Sequence, residues 1–385
     1  MKALLAYIYR CVSPPGPLLN AINQLVHTPV VAPIVQAVWW AVLCAVTVCL
    51  APLVVLDGVL KAWADASATE VSPSERAKLG IVVTGCDSGF GRTLAVHLAR
   101  SGYTVFAGCL AATADNGLSS EAPDGQLRVC SMDVTSQTAV DGAAENIRAW
   151  VDAAPGRRLL AVTNNAGVGT GGFFDWLKLD DYERDLAVNY LGVVRVCKAF
   201  LPLLKRSAAA AGRGEGAPRI LIVSSMSGKL PVPLLSSYSA SKHAAASFAA
   251  CLRMELEHLW GIHVSTALPS FHRTPLTEGG LGTITRKWQA LPAETKAVYG
   301  EGCKASSFEI AHQMMTDWAW EPARVTEELA RAITQTRAPP IELTIGGDAR
   351  FGLNVVRHLP PAVYEAFIWY WYAWNLVPPA QRAQA

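Results

Sequence analysis

Tyr238 and Lys242 stand four residues apart in the run Tyr238-Ser239-Ala240-Ser241-Lys242. On a helix that spacing puts a phenol and an ammonium on one face, where both can serve one site. A free tyrosine titrates near ~10 and is a poor acid or base at neutral pH unless a cation favours its phenolate. Lys242 is expected to supply that field, and its three donors could also hold ribose hydroxyls. Tyr238 would then exchange a proton with an alcohol or carbonyl oxygen. Ser225, at the close of the run Arg219–Ser225, would hydrogen-bond that oxygen. Asn189, within Ala187-Val188-Asn189-Tyr190, would help fix a water behind Lys242 for proton relay. Each residue alone reads as well as a helix face, a strand end or a local cap; their order along one chain is what gives them a joint meaning.

A second constellation lies upstream. Thr84-Gly85-Cys86-Asp87-Ser88-Gly89-Phe90-Gly91 follows an apolar run and precedes an Ala/Leu-rich one. At a strand-to-helix turn, glycines let backbone N–H groups and the helix N-terminus approach a pyrophosphate that side chains would block. Asn164-Asn165-Ala166-Gly167 ends a later apolar run.

These residues need a scaffold, and seven strand candidates provide one: Ile81–Gly85, Tyr103–Gly108, Leu127–Val134, Leu159–Asn164, Arg219–Ser225, Ile262–Pro269 and Ile341–Gly346. Most are apolar without alternation, as expected of strands buried on both faces, and helical segments separate them. That pattern predicts an α/β fold with a parallel sheet covered by helices.

In motif order the chain resembles the short-chain dehydrogenase/reductases. The pieces that carry the likeness are the turn Thr84 to Gly91, Asp133 after the third strand, Asn164 to Gly167, and the set Asn189, Ser225, Tyr238 and Lys242. The likeness is strong from Leu79 to Gly280. It implies a doubly wound Rossmann-type sheet with helices on both faces and catalysis by those four residues. It also implies a cofactor site made of Gly85, Asp87, Ser88, Gly89, Phe90, Gly91, Cys109, Asp133, Asn165, Ala166, Gly167, Tyr238, Lys242, Pro269 and Thr274. Gly85–Gly91, Phe106–Leu110, Tyr299–Glu301 and Gly346–Trp371 look like one branch, that of membrane-bound retinol dehydrogenases, 11β- and 17β-hydroxysteroid dehydrogenases and D-β-hydroxybutyrate dehydrogenase. One departure stands out: Pro269-Ser270 replaces the family's Pro-Gly, which adds a side chain beside the expected nicotinamide position.

Charge bears on the cofactor. A 2′-phosphate needs a cation at the end of the second strand or before the second glycine, where this chain has Cys109, Leu110 and Ser88. NAD is therefore expected over NADP, although the acid that would hold the ribose diol is missing at Cys109.

The remaining organisation follows from composition. Of 385 residues 51% are hydrophobic and only 17% charged, and 33 basic against 31 acidic residues leave a net charge of +2. So weak a field argues against nucleic acid. Nine cysteines without a CxxC pair read as reduced thiols, and no metal site is expected. The charge-free stretch Val30–Leu56 would reach ~40 Å as a helix, enough to cross a ~30 Å hydrocarbon layer, and is expected to be a transmembrane helix; a buried core helix is the alternative. The expected organisation is a leading segment 1–29, the span 30–56, a polar linker 57–78, the catalytic domain 79–350 and an aromatic tail 351–385. The tail, with Trp369, Trp371 and Trp374, suits a membrane interface; a buried C-terminal helix or an oligomer contact, as in a homodimer, is the alternative. An endoplasmic reticulum membrane is expected, with a mitochondrial inner membrane left open because no acid precedes Asp57. Trp288, Tyr299, Phe308 and Met314 are candidate pocket lining. The expected substrate is a lipophilic steroid or retinoid alcohol. The alternatives are a small hydroxy acid such as 3-hydroxybutyrate, held by Arg273 or His272, and a non-catalytic NAD-binding membrane scaffold.

Overall fold

The computed structural model describes residues 71–110, 117–211 and 216–368, together with Leu56 and Val59. The expected transmembrane run, apart from Leu56, most of the linker and the tail beyond residue 368 lie outside the described residues.

All seven expected strands form. They are β1 Leu79–Thr84, β2 Thr104–Cys109, β3 Leu127–Ser131, β4 Arg158–Asn164, β5 Arg219–Val223, β6 His263–Pro269 and β7 Glu342–Ile345. They make one parallel sheet in the order β3-β2-β1-β4-β5-β6-β7. The helices are α1 Gly89–Arg100, α2 Gln137–Asp152, α3 Leu179–Leu186, α4 Val193–Ala211, α5 Ser236–Trp260, α6 Pro275–Ala290, α7 Ala293–Met315, α8 Ala323–Thr334, α9 Gly347–Asn354 and α10 Pro361–Ile368.

The absence of alternation in the strands has a direct cause. Ile81 and Val83 point into a core formed with α1 and α8, through Leu94, Leu98, Leu329 and Ile333. Val82, between them, points into the opposite core, where Ile147 of α2, Phe200 of α4 and Ala249 of α5 pack. Both faces are apolar because both are covered, and each such side chain contributes about 1.5–3 kcal/mol by leaving water. Local signals set the helix ends. Ser136 accepts a hydrogen bond from the amide of Ala139 to start α2, and Gly261 takes φ 66° to stop α5. Among the described residues one helical stretch, Leu179–Ala211, is long and apolar enough to cross a membrane. Val193, Val196, Phe200 and Leu204 on it lie in the core, so it is a core helix of the sheet.

The chain divides into two compact units. One, Ala68–Ala290 with Ala311–Arg350, holds the whole sheet. The other includes Leu291–Ile310 and the described residues from Phe351 onward; within it α7 breaks at Gly300, which takes φ 70° and ψ 165°.

The order of the strands reverses between β1 and β4. In such sheets the carboxyl ends of the two strands flanking the reversal open a crevice, and the residues singled out above gather there.

Candidate active site

A cavity of about 340 Å³ opens over the carboxyl ends of the strands in the sheet-bearing unit. Gly85, Asp87, Ser88, Gly89 and Phe90 line it from the turn after β1, and Asp133 from the end of β3. Asn165, Ala166 and Gly167 line it after β4, and Pro269 and Thr274 after β6. Ser225, Tyr238 and Lys242 form part of the same wall. Three expected site residues stand behind it: Gly91, Cys109 and Asn189.

The glycine turn is fastened to β4. Thr84 Oγ1 accepts from the amides of Asn165 and Ala166, both at 3.0 Å, while Asn165 Nδ2 donates to the carbonyls of Thr84 at 2.9 Å and Gly85 at 3.1 Å. Gly85 has φ +69°, and a Cβ there would lie 2.7 Å from Ala166 Cα; a Cβ on Gly91 would overlap the Gly85 carbonyl. Gly91 thus brings α1 against the turn without touching the cavity. Cys109 is buried at the end of β2, and the next residue, Leu110, lines the cavity in its place. The Leu110 amide donates to both carboxylate oxygens of Asp87 at 3.1 Å, so an acid does occupy the end of β2, supplied from the glycine turn.

Ser225 closes β5 and caps a single 3-10 turn, Met226–Gly228, by accepting from the Ser227 amide. Its side chain stands beside the Tyr238 hydroxyl in the cavity wall, close enough to favour the phenolate. Lys242, 4% exposed, donates from Nζ to the Val223 carbonyl at 2.9 Å and lies 5.8 Å from the Tyr238 ring centroid. The two side chains share one face of α5, as their spacing requires. The expected effect of one on the other is reversed in balance, however. Burial pushes the Tyr238 phenol up to about 12, with Ser225 opposing the rise and Asp185 adding to it. Burial likewise lowers Lys242 to about 8, against the pull of Asp185. Desolvation dominates both groups because they lie in the same low-dielectric wall.

Asn189 sits in a π-helical turn, Ala187–Gly192, between α3 and α4. Its Oδ1 accepts from the Val168 amide at 2.9 Å, and Nδ2 donates to the Val168 carbonyl at 2.8 Å and to Ser241 Oγ at 2.9 Å. A Cβ on Gly167 would lie 3.2 Å from Asn189 Oδ1 and 3.3 Å from Lys242 Nζ, which puts both groups directly beneath that glycine.

Ser270, the departure after β6, packs its side chain over Gly346, where φ +109° and a missing Cβ leave the space. Its amide still donates to the Ile345 carbonyl at 2.9 Å, so the turn is kept. Thr274 and Thr277 cap α6 reciprocally, the Thr274 amide donating to Thr277 Oγ1 at 2.9 Å.

Much of the remaining wall is apolar, through Val168, Val188, Met226, Leu235, Leu276 and Met315, with Thr170, His272 and Thr277 among its polar members. Sequence reasoning missed the apolar members; the run Val168-Gly169-Thr170-Gly171 directly after a cofactor-type strand end was the available signal. Trp288 is buried edge-on against Trp176 at 5.2 Å, and Met314 is also buried; neither lines the cavity, and Met315 does. Tyr299 and Phe308 belong to the second unit. Among the described residues no cluster could hold a metal, and none of the six described cysteines forms a disulfide.

Comparison with known proteins agrees with this geometry. The family described as short chain dehydrogenase matches residues 80–280. Retinol dehydrogenase 5 of Mus musculus is 34% identical over 307 residues, covering 78% of this chain and 90% of that protein. 17-beta-hydroxysteroid dehydrogenase type 6 of Bos taurus is 31% identical over 289 residues, covering 74% of this chain and 86% of its own. Among solved structures, a short chain dehydrogenase/reductase from Burkholderia phymatum in complex with NAD aligns with a TM-score of 0.57 at 21% identity, over 72% of this chain and 92% of that one, and shares the fold.

Proposed function

We propose, from the premise that this chain belongs to the short chain dehydrogenase family and is an oxidoreductase acting on CH–OH groups, that it interconverts a hydroxyl and a carbonyl on a lipophilic substrate of the steroid or retinoid class with NAD. The observation that carries the reading is one continuous cavity, with the glycine turn and Asp87 at one end, Ser225 and Tyr238 in its wall, and apolar side chains over much of the rest.

The crevice fits a dinucleotide. Gly85 and Gly91 leave room for close backbone approach, and the N-terminus of α1 faces the cavity through Ser88 and Gly89. Asp87 would hold a ribose diol and repel a 2′-phosphate, which supports NAD. Asn165, Ala166, Gly167, Asp133, Pro269 and Thr274 would complete the cofactor wall. Bound NAD supplies the hydride acceptor or donor. Tyr238 would move the proton at the substrate oxygen, and Ser225, beside it in the cavity wall, would hold that oxygen in line. Lys242, anchored on Val223, would supply positive charge beneath the ring, and Asn189 would fix Val168 and Ser241 around it.

A small hydroxy acid is the weaker reading, because its carboxylate needs a cation. Arg273 is engaged with Glu321 at 2.7 Å and does not line the cavity, and burial holds His272 below its ordinary range, which disfavours its charged form. A lipophilic substrate also suits an anchor in Val30–Leu56, which we assign to a membrane, with the endoplasmic reticulum first and the mitochondrial inner membrane second; a homodimer is compatible with this arrangement.

Steroids, retinols and 3-hydroxybutyrate, each offered with NAD and NADP while the absorbance of reduced cofactor is followed, test the proposal. Oxidation of 3-hydroxybutyrate alone would overturn it. Removal of residues 1–60 should release the protein from salt-washed membranes, and retention would assign anchorage to the tail.

A further inference from the structure

Asp185 on α3 is fully buried although it carries a carboxylate. Its surroundings are polar and specific. Thr170, which lines the cavity, donates from Oγ1 to Asp185 Oδ1 at 2.9 Å and from its amide to Oδ2 at 3.2 Å. Ser237, the residue before Tyr238, donates to Asp185 Oδ2 at 2.8 Å and lies 3.3 Å from the Asp181 carbonyl. Arg184 reaches the same carboxylate at 3.5 Å and donates to Thr170 Oγ1 at 2.5 Å. A buried carboxylate holding two hydroxyls and an amide is costly to leave unpaired, so each of those groups is fixed by it.

We infer that Asp185 is a positioning residue for proton transfer: it ties the first turn of α5, which presents Tyr238, to the cavity wall at Thr170. The inference rests on the dehydrogenase reading for its kinetic consequence only.

The groups that contact Asp185 are Arg184 on its own helix, Thr170 on the loop after β4 and Ser237 on α5; Tyr238 and Lys242 lie within its electrostatic reach, and the Asp181–Lys287 pair, which joins α3 to α6, stands one turn away. Asp185 is the one charged side chain whose field raises both Tyr238 and Lys242. A negative charge makes a nearby phenol harder to ionise and a nearby ammonium harder to deprotonate, so both titrations move upward together. The carboxylate thereby opposes the loss of charge on Lys242 that burial causes, and holds Tyr238 in its protonated form to higher pH.

The test separates charge from tether. Asp185→Asn keeps the shape and removes the charge: the tyrosine-dependent limb of the kcat profile should move to lower pH by roughly half a unit or more. Ser237→Ala keeps the charge and cuts the tether: kcat should fall by about tenfold or more while that limb stays in place. Ring-carbon NMR of ζ-labelled tyrosine, assigned against Tyr238→Phe, follows the same titration without substrate or cofactor. An Asp185→Asn enzyme whose Tyr238 titrates as in the wild type overturns the inference. If that variant does not fold, wild-type kcat in both Ser237→Ala and Thr170→Val overturns it. A wild-type enzyme inactive on every alcohol would instead fault the dehydrogenase reading, and the NMR titration would still decide this one.

Discussion

Lys242 Nζ donates to the carbonyl of Val223 at 2.9 Å, and Ser224, the next residue, donates from its hydroxyl back to the Lys242 carbonyl at 2.8 Å. α5 is thus fastened to the end of β5 immediately before Ser225. The fastening explains how Ser225 and Tyr238, thirteen positions apart in sequence, come to line one cavity wall together. It also leaves Lys242 Nζ 5.8 Å from the Tyr238 ring centroid, bonded to a backbone carbonyl.

Tyr238→Phe removes one oxygen from the cavity wall and leaves the glycine turn untouched. Turnover should fall by about 10²–10⁴-fold, the range for loss of a general acid–base group. The dissociation constant for NADH, read by fluorescence titration, should stay within about threefold, since a hydroxyl at the reacting end contributes little to holding the rest of the dinucleotide. Equal losses in both quantities would mean that the ring supports the cofactor instead of moving a proton.

Burial gives Lys242 a pH signature in stability. Its ordinary value is 10.5 and the folded value is about 8, so between those limits the unfolded chain binds a proton that the folded chain does not. Stability from this group therefore rises with pH across that window, and below it the buried charge is a constant burden. Lys242→Met should abolish the rise and increase Tm below pH 8, at the expense of turnover. Thermal melts of both proteins from neutral pH to about 10 check the sign. Tyr238 acts oppositely above its ordinary value of 10.0, where its raised folded value makes stability fall with pH.

The sheet was legible because its strands are buried on both faces: Ile81, Val82 and Val83 serve two cores in alternation, so an unbroken apolar run is what the fold demands. Tyr238 and Lys242 were legible because a four-residue spacing on a helix is a geometric statement. Their titration was not, since desolvation depends on what packs around α5, and that comes from β5 and α3. Asp87 was legible as part of the glycine turn, but its place at the end of β2 arises from a contact between two loops, 23 residues apart. Asp185 was hidden for the same reason: its partners, Thr170 and Ser237, come from a loop and a helix that only the fold brings together.

Asp87 should govern the choice between NAD and NADP. Its carboxylate, held by the Leu110 amide, stands where no basic residue waits for a phosphate. Asp87→Asn keeps one acceptor for that amide and removes the charge. The ratio of kcat/KM for NAD to that for NADP should drop by about tenfold or more, mostly through a lower KM for NADP. An unchanged ratio would place the 2′-position elsewhere, beyond the reach of Asp87.

Arg219 offers a contrast between stability and chemistry. It is fully buried at the start of β5, where Nε and Nη2 donate to the Ala217 carbonyl and Nη1 donates to the carbonyls of Ala332 at 2.9 Å and Gln335 at 2.8 Å. The last two belong to the C-terminal end of α8, whose orphan carbonyls carry the negative end of the helix dipole. A guanidinium there satisfies several acceptors at once, and even its pKa falls to about 10 under the cost of burial. Arg219→Met fills similar space and leaves those carbonyls without donors, which should destabilise the protein by about 3 kcal/mol. In a domain of this size Tm should fall by roughly 6–12 °C. Ser225 lies beyond the other end of this strand, whose five residues span about 13 Å by strand rise, so kcat of the folded fraction should be unchanged at low temperature. A variant that melts like the wild type would show that water replaces the guanidinium, and one that loses kcat while folded would mean that β5 transmits strain along its length.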